Sequence, residues 1–325
     1  MSFIDPAMSP DSPTFITSLL PRGVLEIRGK DALDLLHRLS ATDIIKLKIG
    51  ECCPAVFTTE KGRIVDYVVV GRGKETMILL TTLGREGHLK SWIEKYTIME
   101  DVQSEVLTHR YDGVMGVGED LPAMIPDEFC NLDGIDAYTI NNNGFSLIVR
   151  DFDLTWTYVF CTRREEAHAL RAAMSARSIV VMESPEYKSF LILRGIPEGT
   201  LEFREEFNPF EAGISHAISF TKGCYIGQEV IARLDTYNKV QRRLVGLRSS
   251  IYVPLTSALQ AVSNGVVVGW ITSASPVEIS GGFPTLGIIR NEIQVGDTVS
   301  FGPEEVKAHG TVVDFNHRSH AQPTH

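Results

Sequence analysis

The segment Lys222-Gly223-Cys224-Tyr225-Ile226-Gly227-Gln228-Glu229-Val230-Ile231-Ala232-Arg233 decides how the rest of the chain is read. Lys222 lies two residues before Cys224, and an apolar-periodic helix is predicted to start just after Gly227. The thiol is therefore expected beside a cation and close to a helix N-terminus, two settings that favour thiolate. Gly223 and Gly227 permit a tight turn or a close backbone approach to a ligand. The competing reading is a buried cysteine in a turn, the ordinary fate of a free thiol. Glu229 and Arg233 are four residues apart, the spacing of a helix-surface ion pair. Gln228 reads as a hydrogen-bonding residue at the helix start.

Upstream, helical and strand patterns mix without strict alternation, which is α+β order. Strand Val24–Arg28 is followed by a helix from Asp31 to Leu39, whose Ala32, Leu35, Leu36 and Leu39 follow helical spacing. Ala55–Thr59 and Arg63–Val70, joined by Glu60-Lys61-Gly62, read as a hairpin. Strand Thr76–Thr82 leads to helix Arg85–Tyr96, and strand Thr157–Cys161 leads to helix Arg164–Ala176. The stretch 112–143 reads as loops around short strands. Helix Pro185–Arg194 has Ser184 to cap it and Gly195 after it. A long irregular stretch then runs to about Ser215, a length usually reserved for function. Beyond Arg243 the pattern becomes short β runs, Leu244–Leu247, Val266–Thr272, Thr285–Ile289, Thr298–Phe301 and Gly310–Asp314, with Gly and Pro turns between them, expected to form a small barrel or sandwich. The tail from Asn316 is expected to be disordered.

Within Gly62-Arg63-Ile64-Val65-Asp66-Tyr67-Val68, alternation puts Asp66 on one face with Ile64 and Val68. An acid on an apolar face needs a partner or a job, because burying a lone carboxylate is costly. Between Lys222 and Arg248 six basic residues stand against two acids. That contrast fits either capture of an anion or a solvated linker.

With 325 residues and 43% hydrophobic composition, two or three packed units are expected. The formal charge of −10 argues against a protein that grips nucleic acid directly. No apolar run approaches the length that spans a bilayer, and the start lacks the basic and apolar regions of a leader. The expectation is a cytoplasmic protein with no membrane partner. Five cysteines, at 52, 53, 130, 161 and 224, include no C-x-x-C pair, so neither disulfides nor a metal site are expected and the cysteines other than Cys224 read as packing residues.

The Lys222–Glu229 run resembles the K-G-C-Y/F-x-G-Q-E motif of the YgfZ family, relatives of the glycine cleavage T-protein. Arg194-Gly195-Ile196-Pro197, Asn208–Gly213, Gly269-Trp270-Ile271-Thr272-Ser273 and the N-terminal Lys61-Gly62-Arg63 extend the resemblance over nearly the whole chain, and Arg233–Tyr237 is similar to the plastid and cyanobacterial branch. The resemblance implies a T-protein-like multidomain α+β fold with antiparallel sheets and a small C-terminal β-barrel. Its expected parts are a folate-binding region of two intertwined subdomains over 15–240 and a barrel over 241–315. It implies tetrahydrofolate, or a one-carbon or polyglutamyl form, as cofactor, and a role in assembling or repairing iron–sulfur enzymes, tRNA-modifying ones included. The alternative is an aminomethyltransferase of glycine cleavage or a related demethylase. On this resemblance the catalytic candidates are Cys224, Lys222 and Asp66, and the folate contacts are Asp66, Arg194, Tyr225, Gln228 and Arg233. Asp66 matches the first aspartate of the T-protein stretch G-G-x-I/L-D-D-L-I-V, and Tyr67 replaces the second. Where T-proteins carry a glutamate that holds the pteridine ring, this chain reads Leu193-Arg194-Gly195, and a guanidinium cannot accept the ring's N–H donors.

Overall fold

A computed structural model describes residues 14–17, 20–129, 132, 134–141, 144–237 and 239–315. Cys130 and the tail from Asn316 lie outside these residues. The chain divides into two compact units, Met1–Glu183 with His216–Val230, and Ser184–Ser215 with Ile231–His325.

In the first unit the strands are β1 (Phe15–Thr17), β2 (Arg22–Arg28), β3 (Cys52–Thr58), β4 (Ile64–Arg72), β5 (Thr76–Thr82) and β6 (Gln103–Val106). They are followed by β7 (Asp112–Val117), β8 (Ala137–Asn141), β9 (Gly144–Asp151), β10 (Leu154–Cys161) and β11 (Val180–Met182). The helices of this unit are α1 (Ala32–Leu39), α2 (Glu86–Tyr96), the single turn α3 (Leu121–Met124) and α4 (Arg164–Ala176).

One sheet runs β3-β4-β5-β2-β6 with every neighbour antiparallel. The apolar stripe of α1 predicted from spacing, Ala32, Leu35, Leu36 and Leu39, is buried on this sheet beside Leu89, Trp92 and Ile93 of α2. Each fully buried leucine of that stripe contributes about 1.5–3 kcal/mol. The second sheet runs β11-β1-β7-β10-β9-β8, antiparallel except where β1 meets β11. Its face is covered by Ala167, Leu170 and Met174 of α4.

The second unit begins with α5 (Ser184–Leu193), one residue earlier than the end signals gave, so Ser184 belongs to the helix. A run of turns follows to Ser215. Helix α6 (Gln228–Thr236) leads to a closed six-stranded barrel of β12 (Arg242–Ser249), β13 (Leu259–Ser263), β14 (Val266–Ala274), β15 (Phe283–Arg290), β16 (Thr298–Phe301) and β17 (Ala308–Val313). Closure removes the sheet edges that an open sheet of this size would expose. Within this unit Glu202 is fully buried, takes a hydrogen bond from Ser273 Oγ at 2.7 Å, and is pushed up to about 7 by burial. Arg242 binds Glu211 Oε1 at 3.0 Å and lies over the rings of Trp270 and Phe207. The turn-rich stretch is thus pinned to the barrel through its polar groups as well as its apolar ones.

Candidate functional site

The hairpin of β3 and β4 positions Asp66. Phe57 pairs with Asp66 but Thr58 pairs with Ile64, so Val65 is an extra residue in β4. This bulge interrupts the alternation expected from sequence. Val65 joins Val68 and Val70 in the core with α1 and α2, and Asp66 is re-aimed. The Asp66 carboxylate is fully buried. Its Oδ1 accepts the N–H of Tyr67 at 2.9 Å and its Oδ2 accepts the N–H of Thr82 at 3.2 Å. Arg85 Nε stands 4.0 Å from Oδ1, while Arg85 Nη2 donates to Val65 O at 2.7 Å. Burial pushes the Asp66 carboxyl up to about 6, against the opposing pull of its hydrogen bonds and of Arg85. Asp66 therefore crosses between acid and carboxylate near neutral pH. Among the described residues Arg85 Nε is buried with no hydrogen-bond partner, an unsatisfied donor beside a buried acid.

The Lys222–Tyr225 run is built around two anchors. Lys222 Nζ is buried and donates to three carbonyls just beyond and at the end of α1, His37 O at 2.6 Å, Ser40 O at 2.8 Å and Thr42 O at 2.9 Å. Three hydrogens meet three acceptors at the negative end of a helix, the favourable place for a cation. Burial lowers its pKa to about 8. Tyr225 is buried too, with the Lys222 ammonium 5.1 Å from its ring centre. Between the anchors Gly223 and Cys224 are exposed. The buried-thiol reading does not describe Cys224, and the Lys222 ammonium is directed at carbonyls of the α1 end. Gly227 has φ +84°, and a Cβ there would meet Thr59 O at 2.4 Å. Thr58 Oγ1 also donates to Ile226 O at 2.9 Å, so the motif lies against the β3–β4 turn.

Gln228 is the first residue of α6, and its backbone N–H donates to Tyr225 O at 3.2 Å. Arg194 and Arg233 belong to the second unit's part of the chain; Arg194 follows α5 and lies over the Phe190 ring. Of the basic residues flanking the motif, Lys222, Arg242 and Arg243 are held by protein acceptors. Cys52 and Cys161 are buried, and burial raises both thiols, Cys161 to about 12. Among the described residues no group of three or more His, Cys, Asp or Glu is placed to hold a metal ion.

Sequence reading missed a cluster in the first unit, in which buried Tyr67 and Asp151 meet the exposed His216. Tyr67 OH lies 2.9 Å from both oxygens of Asp151, and His216 Nε2 lies 2.8 Å from Asp151 Oδ1 and 3.1 Å from Tyr67 OH. The three residues are far apart in the chain, and no motif of the sequence links them.

The GCVT N-terminal domain model matches residues 20–118, and the chain is similar to proteins of the YgfZ and GCVT kind. The architecture is that of the glycine cleavage system aminomethyltransferase T from Bartonella henselae, with a TM-score of 0.73 at 16% identity over 93% of this chain and 85% of that one. Similar proteins include "Putative transferase At1g60990, chloroplastic" of Arabidopsis thaliana, 25% identical over 331 residues, which cover 95% of this chain and 73% of that protein. An aminomethyltransferase of Halalkalibacterium halodurans is 24% identical over 69% of this chain and 64% of its own length. The tRNA-modifying protein YgfZ of Colwellia psychrerythraea is 20% identical over 78% of this chain and 77% of its own length. Among the described residues no helix is long and apolar enough to cross a membrane.

Proposed function

We propose that this chain binds tetrahydrofolate, or a one-carbon or polyglutamyl form of it, and supports the assembly or repair of iron–sulfur enzymes in the cytoplasm, tRNA-modifying ones among them. The observation that carries the folate part is Asp66, a buried acid beside the unsatisfied Arg85 Nε. A reduced pterin offers N–H donors to such an acid and carbonyl or nitrogen acceptors to such a guanidinium, so the residues present fit the group. Asp66 and Arg85 would hold it, with Tyr225 and Gln228 of the same unit as further contacts, and bound folate would supply a one-carbon carrier. Cys224 is raised into solvent between two anchored neighbours, which suits contact with a client protein better than a structural role.

The second reading is an aminomethyltransferase, favoured by similarity to proteins of that name. Against it stands Arg194 at the place where T-proteins carry the pteridine-holding glutamate. Two assays separate the readings. Glycine-dependent formation of methylene-tetrahydrofolate with lipoyl carrier is expected to be absent. Cells lacking the protein are expected to regain iron–sulfur enzyme activity with the wild-type chain and not with Cys224→Ser. Robust glycine-dependent turnover together with full function of Cys224→Ser would establish the second reading instead.

A further inference from the structure

We propose that Tyr67, Asp151 and His216 form an acid–base site that presents a free lone pair on His216 Nδ1 to an N–H or O–H donor of the bound ligand. The ligand's identity rests on the folate reading; the site itself rests on its own geometry.

Proton accounting fixes the arrangement. Tyr67 is buried, and burial with the Asp151 carboxylate holds its pKa well above the ordinary value, so the phenol keeps its hydrogen. At 2.9 Å from both Asp151 oxygens it donates to the carboxylate. His216 Nε2 is 2.8 Å from Asp151 Oδ1, and a carboxylate oxygen offers only lone pairs, so Nε2 carries a hydrogen. A neutral imidazole then has its remaining lone pair on Nδ1. The Asp151 side chain is 6% exposed and that of His216 is 41% exposed, so the buried partners lie behind a ring that reaches solvent. A carboxylate that orients a histidine and would balance its positive charge is the arrangement used to ready an imidazole for proton transfer or ligation.

The backbone is strained to build it. Asp151 and Leu154 pair across a two-residue turn in which Phe152 and Asp153 have φ of 50° and 59°. Such turns favour Asn-Gly, and a bulky residue there is held only by its surroundings. The Phe152 ring packs edge-on against His216, with centres 4.8 Å apart, and against Tyr67 at 6.2 Å. A surface histidine with no task requires neither a buried carboxylate nor a strained aromatic beside it. In a full transfer, the ligand's X–H bond breaks, Nδ1–H forms, the electron pair stays on X, and Asp151 balances the imidazolium.

The test is nitrogen-15 NMR on full-length protein labelled at histidine, with the His216 signals assigned by His216→Gln. The expected result is a single Nε2–H tautomer in the wild type, a mixture in Asp151→Asn, and an Nδ1 signal that moves on adding 5-formyl-tetrahydrofolate. Tyr67→Phe, which removes one hydroxyl, is expected to keep the tautomer and speed exchange of its proton, and it serves if Asp151→Asn does not fold. An Nδ1–H tautomer in the wild type overturns the site. An unmoved Nδ1 signal, when calorimetry on the same sample shows saturation, overturns its role toward the ligand. No binding heat with the Nε2–H tautomer intact overturns the folate reading and upholds the site.

Discussion

Asp66→Asn separates the carboxylate's charge from its shape. Burial raises the Asp66 pKa from 3.8 to about 6. The folded protein therefore holds this proton more tightly than the unfolded chain and binds more protons across that interval. Its stability falls as pH rises from about 4 to 6 by on the order of 3 kcal/mol from this group alone. Asparagine removes that pH-dependent loss. It also sets an NH₂ against one of two backbone donors, since Tyr67 N and Thr82 N each give a hydrogen to a separate carboxylate oxygen. One orphaned N–H costs about 1–3 kcal/mol. At pH 7 the two effects nearly cancel, and the melting temperature is expected to move by no more than about 5 °C. The mutant's relative stability is expected to be lower at pH 4 than at pH 7. Folate affinity, in contrast, loses a charged hydrogen bond worth about 1.5–3 kcal/mol, roughly ten- to a hundredfold. Differential scanning calorimetry of both proteins from pH 4 to 7, with titration of 5-formyl-tetrahydrofolate at each pH, measures both quantities. Unchanged affinity, or a melting difference that does not vary with pH, would refute the reasoning.

Lys222→Met strands the carbonyls of His37, Ser40 and Thr42, and chemical denaturation is expected to show a loss of about 3 kcal/mol or more; a wild-type midpoint would show that those three bonds contribute nothing. Cys224→Ser changes an exposed atom, so stability is expected to stay within about 0.5 kcal/mol while iron–sulfur enzyme support in cells is lost; full support by Cys224→Ala would remove the thiol from the account. Gly227→Ala forces a Cβ to 2.4 Å from Thr59 O at φ +84°, and a sharp drop in melting temperature is expected, whereas a neutral outcome would mean that the β3–β4 turn yields freely.

The elements that announce themselves by period were legible. The Leu35, Leu36 and Leu39 stripe, the β3–β4 hairpin about Gly62 and most barrel strands stand within a few residues of their predicted places. Strand β13 was not, because Leu-Gln-Ala-Val-Ser is half exposed and lacks the β-branched run that marks a strand. The bulge at Val65 was also invisible, since alternation carries no sign of an extra residue until the partner strand fixes the register. In the site, Asp66 stood out as an acid in an apolar strand. Lys222 was read as a partner for Cys224, but its acceptors are backbone carbonyls near the end of α1, groups every residue has and no motif displays. Asp151 and His216 meet Tyr67 only through the fold, and a lone histidine in a long turn-rich stretch gives no hint of that.

Calorimetric titration of the wild-type chain with 5-formyl-tetrahydrofolate tests the central claim most directly. The account predicts one site of micromolar affinity, tightened by added glutamyl units in a salt-sensitive manner and weakened by Asp66→Asn. Neither heat nor thermal shift at millimolar ligand would contradict it.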